Sequence, residues 1–302
     1  MQSGCFPVYD KKALLIINPV SGKKLVLKHI PSIIRNLMDC GYLVTTAVTS
    51  RRGEATELAE HYVNQFDLVC CTGGDGTLNE TLSGIARTGA DVPLGYIPCG
   101  STNDFAATHA LSTDIEQAAK NMASGHTKRY DIGRFGDCYF SYVAAFGAFS
   151  WLSYTTDQNL KNLLGHTAYI LDGIKDVYKI HPVHMRFTVG EKIYEDDYIF
   201  GAICNSTHIA GTIELPESIV KLDDGIFEVL LIRSPKTIVE LDQIIRGIIT
   251  QDYTCPLIDF FQTNSLRISN PQEQEWSLDG ECAVVRDDVN VSVIPKYLNL
   301  QG

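Results

Sequence analysis

Paired cysteines, long apolar runs and positive charge are all scarce in this chain. Its nine cysteines are an odd number and none falls in CxxC spacing. That argues against a zinc site and a disulfide framework, and for reduced thiols that mostly serve as small core residues. No apolar run approaches the ~18 residues of a membrane span, and the first residues lack the charged-then-apolar pattern of a signal segment. The expectation is a soluble, cytoplasmic protein with no transmembrane segment. A net charge of −11 speaks against nucleic acid as a partner. The eight histidines show no ligand spacing such as HxxxH, and no internal repeat or low-complexity linker divides the chain.

What is present points to two closely packed domains. The length of 302 residues suits about two, and 45% hydrophobic content suits a sizeable core. Charge is unevenly spread: residues 1–36 carry Lys11, Lys12, Lys23, Lys24, Lys28 and Arg35 against Asp10 alone. Such a segment fits a phosphate or an anionic lipid surface, and equally fits solvated helix faces.

The first half alternates strands and helices. Lys12–Ile17 reads as a buried parallel strand, followed by a helix through Val26, Ile30, Ile33, Ile34 and Leu37. Further strands are expected at 42–48, 68–71 and 94–97, and helices at 53–65 and 77–87. Thr113-Asp114-Ile115-Glu116 has the pattern of a capping box opening another helix. Beyond Tyr130-Asp131-Ile132-Gly133 the pattern changes. After an aromatic stretch and a helical one, Thr156 to Lys179, come period-2 strands, with a helix started by Ser234-Pro235. The fold class predicted is α/β plus β: a doubly wound parallel nucleotide-binding domain, then a mainly antiparallel β-sandwich. The boundaries expected are 1–130 and 131–302, with the segment near 290–302 returning to the first domain and a cleft between the two.

Three loops follow strands in the first half, at 18–23, 72–77 and 98–104, where a doubly wound sheet binds ligands. In the central one, Gly73, Gly74 and Gly76 bare the backbone N–H groups to a large anion, and Thr77 is expected to open a helix with its positive end towards it. Asp75 among these donors would repel phosphate unless a metal ion intervenes, which points to Mg²⁺-bound nucleotide. The aromatic group Tyr139, Phe140, Tyr142, Phe146, Phe149 and Trp151 reads as core, with a lipid pocket as the alternative.

Five segments then occur in order: Asn18-Pro-Val-Ser-Gly22, Gly73-Gly-Asp-Gly-Thr-Leu-Asn-Glu80, Pro98-Cys-Gly-Ser-Thr-Asn-Asp-Phe105, Lys221-Leu-Asp-Asp-Gly225 and Leu278-Asp-Gly-Glu281. Together they resemble the soluble bacterial diacylglycerol kinase family, kin to sphingosine and ceramide kinases. Gly-Gly-Asp-Gly is shared more widely, with 6-phosphofructokinases and NAD kinases; the ordered set of five marks the lipid-kinase branch. The resemblance implies that Asn18, Pro19, Val20, Ser21 and Gly22 hold ATP, with Lys23 near its phosphates and Thr49 beside the nucleotide. It places Gly73, Gly74, Gly76, Thr77, Leu78 and Asn79 around the triphosphate, Asp75 on the catalytic Mg²⁺, and Ser101, Asn103 and Asp104 in the same site. Ser101 stands where the family usually has threonine, and Ala107 where an arginine is common. Glu281 matches the general base, and Asp224 with the backbone carbonyls of Lys221 and Ile226 matches a structural Mg²⁺ site.

What the resemblance implies is an ATP-dependent kinase of diacylglycerol or a related lipid, peripheral to the inner face of the membrane. A homodimer is left open. Asp75 and Glu281 would have to face one crevice. The alternatives are a kinase of a soluble substrate such as NAD and a nucleotide-binding module without turnover.

Overall fold

Two exposed lysines lead into an unbroken apolar run, and β1 (Lys11–Ile17) buries every residue from Ala13 onward. A strand sealed on both faces belongs in a parallel sheet between helical layers. In this computed structural model, which describes residues 9–21, 26–101, 103–147, 181–209, 213–216, 218–269, 273–285 and 287–302, the chain divides into two compact units. One is Met1–Tyr130 with Lys296–Gly302, the other Asp131–Pro295.

In the first unit, β1 is followed by α1 (Val26–Asp39), β2 (Tyr42–Val48) and α2 (Glu54–Tyr62), which ends in a 3-10 turn at Val63–Gln65. Then come β3 (Leu68–Gly73), α3 (Asp75–Thr88), β4 (Leu94–Pro98), α4 (Asp104–Thr108) and α5 (Ile115–Ala123). All neighbouring strands are parallel, in the order β2-β1-β3-β4, and Leu300 and Gln301 run parallel to Leu94 and Gly95 at the far side. The Val26, Ile33 and Leu37 stripe of α1 packs with Ala118, Ala119 and Met122 of α5 over this sheet.

Two local expectations need correction. Helix α3 begins at Asp75, two residues before Thr77, because Gly74 in extended conformation is its N-cap. The Thr113–Glu116 capping box does not form. Asp114 caps α5 by accepting the Gln117 N–H at 2.9 Å, and Glu116 instead binds Ser32 and His29 of α1 at 2.6 and 2.7 Å. A carboxylate offered two donors on a neighbouring helix gains more than from one backbone amide.

The second unit takes in β5 (Thr127–Phe135) from Asp131 onward, β6 (Cys138–Phe140), β7 (Val143–Gly147), β8 (Val183–Val189), β9 (Lys192–Cys204), and the short β10 (His208–Ile209) and β11 (Ile213–Glu214). It continues through β12 (Phe227–Arg233), α6 (Ile238–Thr250), β13 (Ile258–Thr263), β14 (Ser265–Ser269), β15 (Gln274–Leu278), β16 (Glu281–Val285) and the first part of β17 (Val289–Gln301). Its ladders are antiparallel. The long β9 pairs β8 through its first half, β7 through its second, and β12 along Tyr198–Cys204. Trp276 fills the core, its ring centroid 5.0 Å from that of Phe135 and 4.8 Å from that of Phe146. Phe140 and Phe146 are therefore core residues, while Phe149, Trp151 and the helical stretch from Thr156 to Lys179 lie outside the described residues.

Helix α6 starts later than Ser234-Pro235. Thr237 and Glu240 form a reciprocal capping box, and Pro235 lies two residues before the cap. The doubled cap outweighs the conformational preset of a proline.

Candidate active site

Strand β3 ends in glycine because nothing larger fits. A Cβ on Gly73 would collide with the side chain of Thr77 one helical turn on. Gly74 and Gly100 meet backbone to backbone: a Cβ on Gly100 would lie 2.7 Å from the Gly74 Cα, and one on Gly74 3.2 Å from the Gly100 Cα. The Cys99 N–H donates to the Gly73 carbonyl at 2.7 Å, so the loops after β3 and β4 are tied at their root. The loop after β1 joins them, since the Asn18 N–H donates to the Thr72 carbonyl at 3.0 Å and Asn18 Nδ2 donates to Thr77 Oγ1 at 2.9 Å. Asn18 Oδ1 then accepts from the Val20 N–H at 3.2 Å, folding Pro19 into a turn that leaves Val20 exposed. Thr49 belongs to the same edge, its N–H bonded to the Ile17 carbonyl at 2.9 Å. The structure thus brings together Asn18–Val20, Thr49, Gly73–Thr77, Gly100, Asn103 and Asp104. Gly22 and Lys23 lie outside the described residues.

Asp75 is buried in the first turn of α3. Its two oxygens accept the Asp104 and Phe105 N–H groups at 3.1 and 3.4 Å, so the start of α4 holds its charge. Asn103 makes this possible: it sits in the left-handed region (φ 54°), and its Oδ1 accepts the Gly100 N–H at 2.8 Å. Tyr96 donates from its hydroxyl to the Gly73 carbonyl at 3.3 Å; burial first, and then the nearby Asp75 charge, hold that phenol protonated. Burial likewise pushes the Cys71 thiol up to about 12 and the Cys99 thiol up to about 11, so neither is a nucleophile.

Not every residue of the glycine-rich segment can face a ligand with its side chain. Leu78 is wholly buried and Asn79 nearly so. The N–H groups of Thr77 and Leu78 turn back to the Gly74 carbonyl at 3.0 and 3.2 Å. Glu80 points to α2, accepting the Gly53 N–H at 2.7 Å and the Ala55 N–H at 3.2 Å, and so caps that helix in place of a local side chain. Its position seven residues after Gly73 gave no sign of that role.

In the second unit Glu281 opens β16 and is half-buried, paired with Leu278 across a two-residue turn. Asp279 (φ 52°) and Gly280 (φ 89°) both have positive φ, as a tight hairpin turn of this hand requires. Asp279 does more than turn the chain. Its buried carboxylate accepts the Ser141 N–H, the Ser141 hydroxyl at 2.8 Å, and the N–H groups of Tyr142 and Val143 at 3.1 and 2.9 Å. The Asp279 N–H donates back to the Val143 carbonyl at 2.9 Å. Glu281 is thereby fixed to the start of β7, a role for Asp279 that the sequence did not disclose.

The Lys221–Ile226 turn leads into β12. Asp224 Oδ1 accepts the Ile226 N–H at 3.1 Å, and Asp131 pins the turn by accepting the Gly225 N–H at 2.6 Å and donating its own N–H to the Leu222 carbonyl at 2.9 Å. Among the described residues no three His, Cys, Asp or Glu side chains converge as a metal cluster. A cation at this turn would take carbonyl oxygens, one carboxylate and water. That is a hard-oxygen set, suited to Mg²⁺.

A family model described as the diacylglycerol kinase catalytic domain matches residues 12–135. A diacylglycerol kinase of Staphylococcus epidermidis is 32% identical over 274 residues, spanning 90% of this chain and 86% of that one. The chain belongs to the diacylglycerol kinase family. A diacylglycerol kinase of Bacillus subtilis is 28% identical, with 90% of each chain covered. A crystal structure of a diacylglycerol kinase from Bacillus anthracis shares the fold, with a TM-score of 0.74 over 96% of both chains at 22% identity. As a member of this family the protein is a lipid kinase, and kinase chemistry entails ATP use. No helix among the described residues is long and apolar enough to cross a membrane.

Proposed function

We propose that this lipid kinase transfers the γ-phosphoryl group of Mg-ATP to the primary hydroxyl of diacylglycerol or a closely related lipid, giving phosphatidic acid. The observation that carries this reading is the joining of the three strand-end loops around Gly74 and Gly100, in a chain 32% identical to a diacylglycerol kinase over most of its length. Asn18–Lys23, Thr49, Gly73–Thr77, Ser101, Asn103 and Asp104 hold the nucleotide, with Leu78 and Asn79 anchoring the first turn of α3 beneath them. Backbone donors and the opening of α3 face the phosphates, and Asp75 is the hard oxygen ligand for catalytic Mg²⁺. Mg²⁺ held there would supply charge neutralisation at the phosphoryl group. Glu281 receives the hydroxyl proton, which needs a carboxylate held in place; the hydrogen bonds of Asp279 supply that rigidity. Asp224 and the carbonyls of Lys221 and Ile226 would hold a structural Mg²⁺. The protein meets its substrate peripherally, at a membrane surface.

The test is phosphorylation of diacylglycerol in mixed micelles with Mg-ATP, followed by mass spectrometry of a phosphorylated lipid extract. Parent protein should yield phosphatidic acid, and Glu281→Gln should lose about two to four orders of magnitude in kcat. Parent turnover of NAD in place of lipid, or Glu281→Gln indistinguishable from parent, would overturn the assignment.

A further inference from the structure

Strand β12 carries a carboxylate among buried apolar residues. Glu228 is wholly buried, in a cross-strand row with Cys204 of β9 and Gln262 of β13. Gln262 Nε2 donates to Glu228 Oε1 at 2.9 Å. Glu228 Oε2 has no hydrogen-bond partner, and among the described residues Glu228 makes no ion pair. A buried carboxylate oxygen without a donor is a costly arrangement, and such groups are normally met by a positive charge, a metal or water. The surroundings favour a cation. The Gln262 amide that holds Oε1 also donates to the Ile219 carbonyl at 3.3 Å, two residues before Lys221. Glu228 itself stands two residues after Ile226. It is thus tied on both sides to the turn whose Asp224 carboxylate and Lys221 and Ile226 carbonyls form a hard-oxygen set, and Asp224 is near enough for its charge to act on Glu228.

We propose that Glu228 is the second carboxylate of the cation site at the Lys221–Ile226 turn, its Oε2 accepting from a water on the ion. This role rests on the structural Mg²⁺ of the preceding reading. Asp224 alone would leave one positive charge of a divalent ion unbalanced, and Glu228 cancels it. Mg²⁺ dehydrates reluctantly and keeps several waters, so a carboxylate beyond its direct ligands acts through that shell. Gln262 is then a positioning residue: by holding Oε1 it leaves Oε2 as the oxygen turned to the ion.

The test is thermal unfolding of the nucleotide-free full chain against MgCl₂ alone at fixed ionic strength, so that no ATP-borne ion contributes. The parent Tm should rise along a saturating curve, and Asp224→Asn should abolish the rise. Glu228→Gln keeps an acceptor for Gln262 but puts a donor where Oε2 stood. It should move the midpoint of that curve to at least about tenfold higher MgCl₂. Without Mg²⁺ its Tm should equal or exceed that of the parent, because a neutral amide costs less to bury; a merely structural glutamate predicts the same loss with and without the ion. Gln262→Leu, at an exposed strand position, should move the midpoint the same way by a smaller factor, and carries the test if Glu228→Gln does not fold. Glu228→Gln or Gln262→Leu with the parent midpoint, while Asp224→Asn has lost the response, would overturn the role of Glu228 and leave the Mg²⁺ site standing. That is the result expected of a glutamate that is merely protonated or bound to ordinary water. A parent Tm indifferent to MgCl₂ would remove the site and this role together.

Discussion

His109 is enclosed between Phe105 and Tyr130, at ring-centroid distances of 4.0 and 4.2 Å, and neither ring nitrogen has a hydrogen-bond partner. Burial, with the Lys128 charge adding to it, depresses its pKa to about 3, so the imidazole is neutral when folded. The unfolded chain takes up that proton near pH 6.5, hence stability falls as pH drops from 6.5 towards 3 and levels off below. At pH 5 the loss should be about 2 kcal/mol. Urea unfolding of the parent and of His109→Leu at pH 7 and pH 5 should show the variant relieved of that loss. Glu228 acts in the opposite sense, burial holding its carboxyl up to about 7, so only the parent-minus-variant difference isolates the histidine. Residues of this kind stay silent in a sequence because their chemistry depends on what encloses them. Glycines 73, 74 and 76 were legible from the turn they had to make, whereas the close approach of Gly100 to Gly74 was not. Asp279 read only as half of an Asp-Gly turn, since its four donors come from Ser141, Tyr142 and Val143, more than a hundred residues away.

Among the elements, α2 and α3 are pressed together at Gly84. A Cβ there would collide with the Thr56 carbonyl and come within 2.7 Å of the Ala59 Cβ and 2.9 Å of the Glu60 nitrogen. Helix propensity alone would favour alanine by about 1 kcal/mol. The close crossing reverses the sign. Gly84→Ala should destabilise by about 1–3 kcal/mol, read from the urea midpoint at constant m-value, because backbone on α2 cannot step aside as a flexible side chain would. Strands β1 to β4 and helices α1 to α3 were legible to within a few residues, because a sealed strand and an amphipathic helix each write a period into the sequence. Strand β13 was not anticipated. Ile258–Thr263 mixes polar and apolar residues, and it is a strand because of the neighbour it pairs with, β12. The start of α6 was misplaced for a related reason, two competing signals within four residues.

At the scale of the whole molecule, the first unit is not continuous in sequence. Its strand-end loops are complete by residue 105, yet Leu298 and Leu300 are buried in it, Tyr297 donates from its hydroxyl to the Ile85 and Ala90 carbonyls at 3.3 and 3.2 Å, and Gln301 Nε2 donates to the Met122 carbonyl at 2.7 Å. Burying two leucines is worth roughly 3–6 kcal/mol, a large share of any domain's stability. A chain stopped after Pro295 should therefore melt at a markedly lower temperature, with hydrogen exchange rising first in β4 and α5. A protein cut there that kept the parent melting point would contradict this arrangement. The same closing strand bears on synthesis. While the polypeptide emerges from the ribosome, the half that carries the three strand-end loops lacks its fifth strand until residues 296–302 have been made. Quality-control factors would thus meet that half unfinished for as long as residues 131–295 are being made.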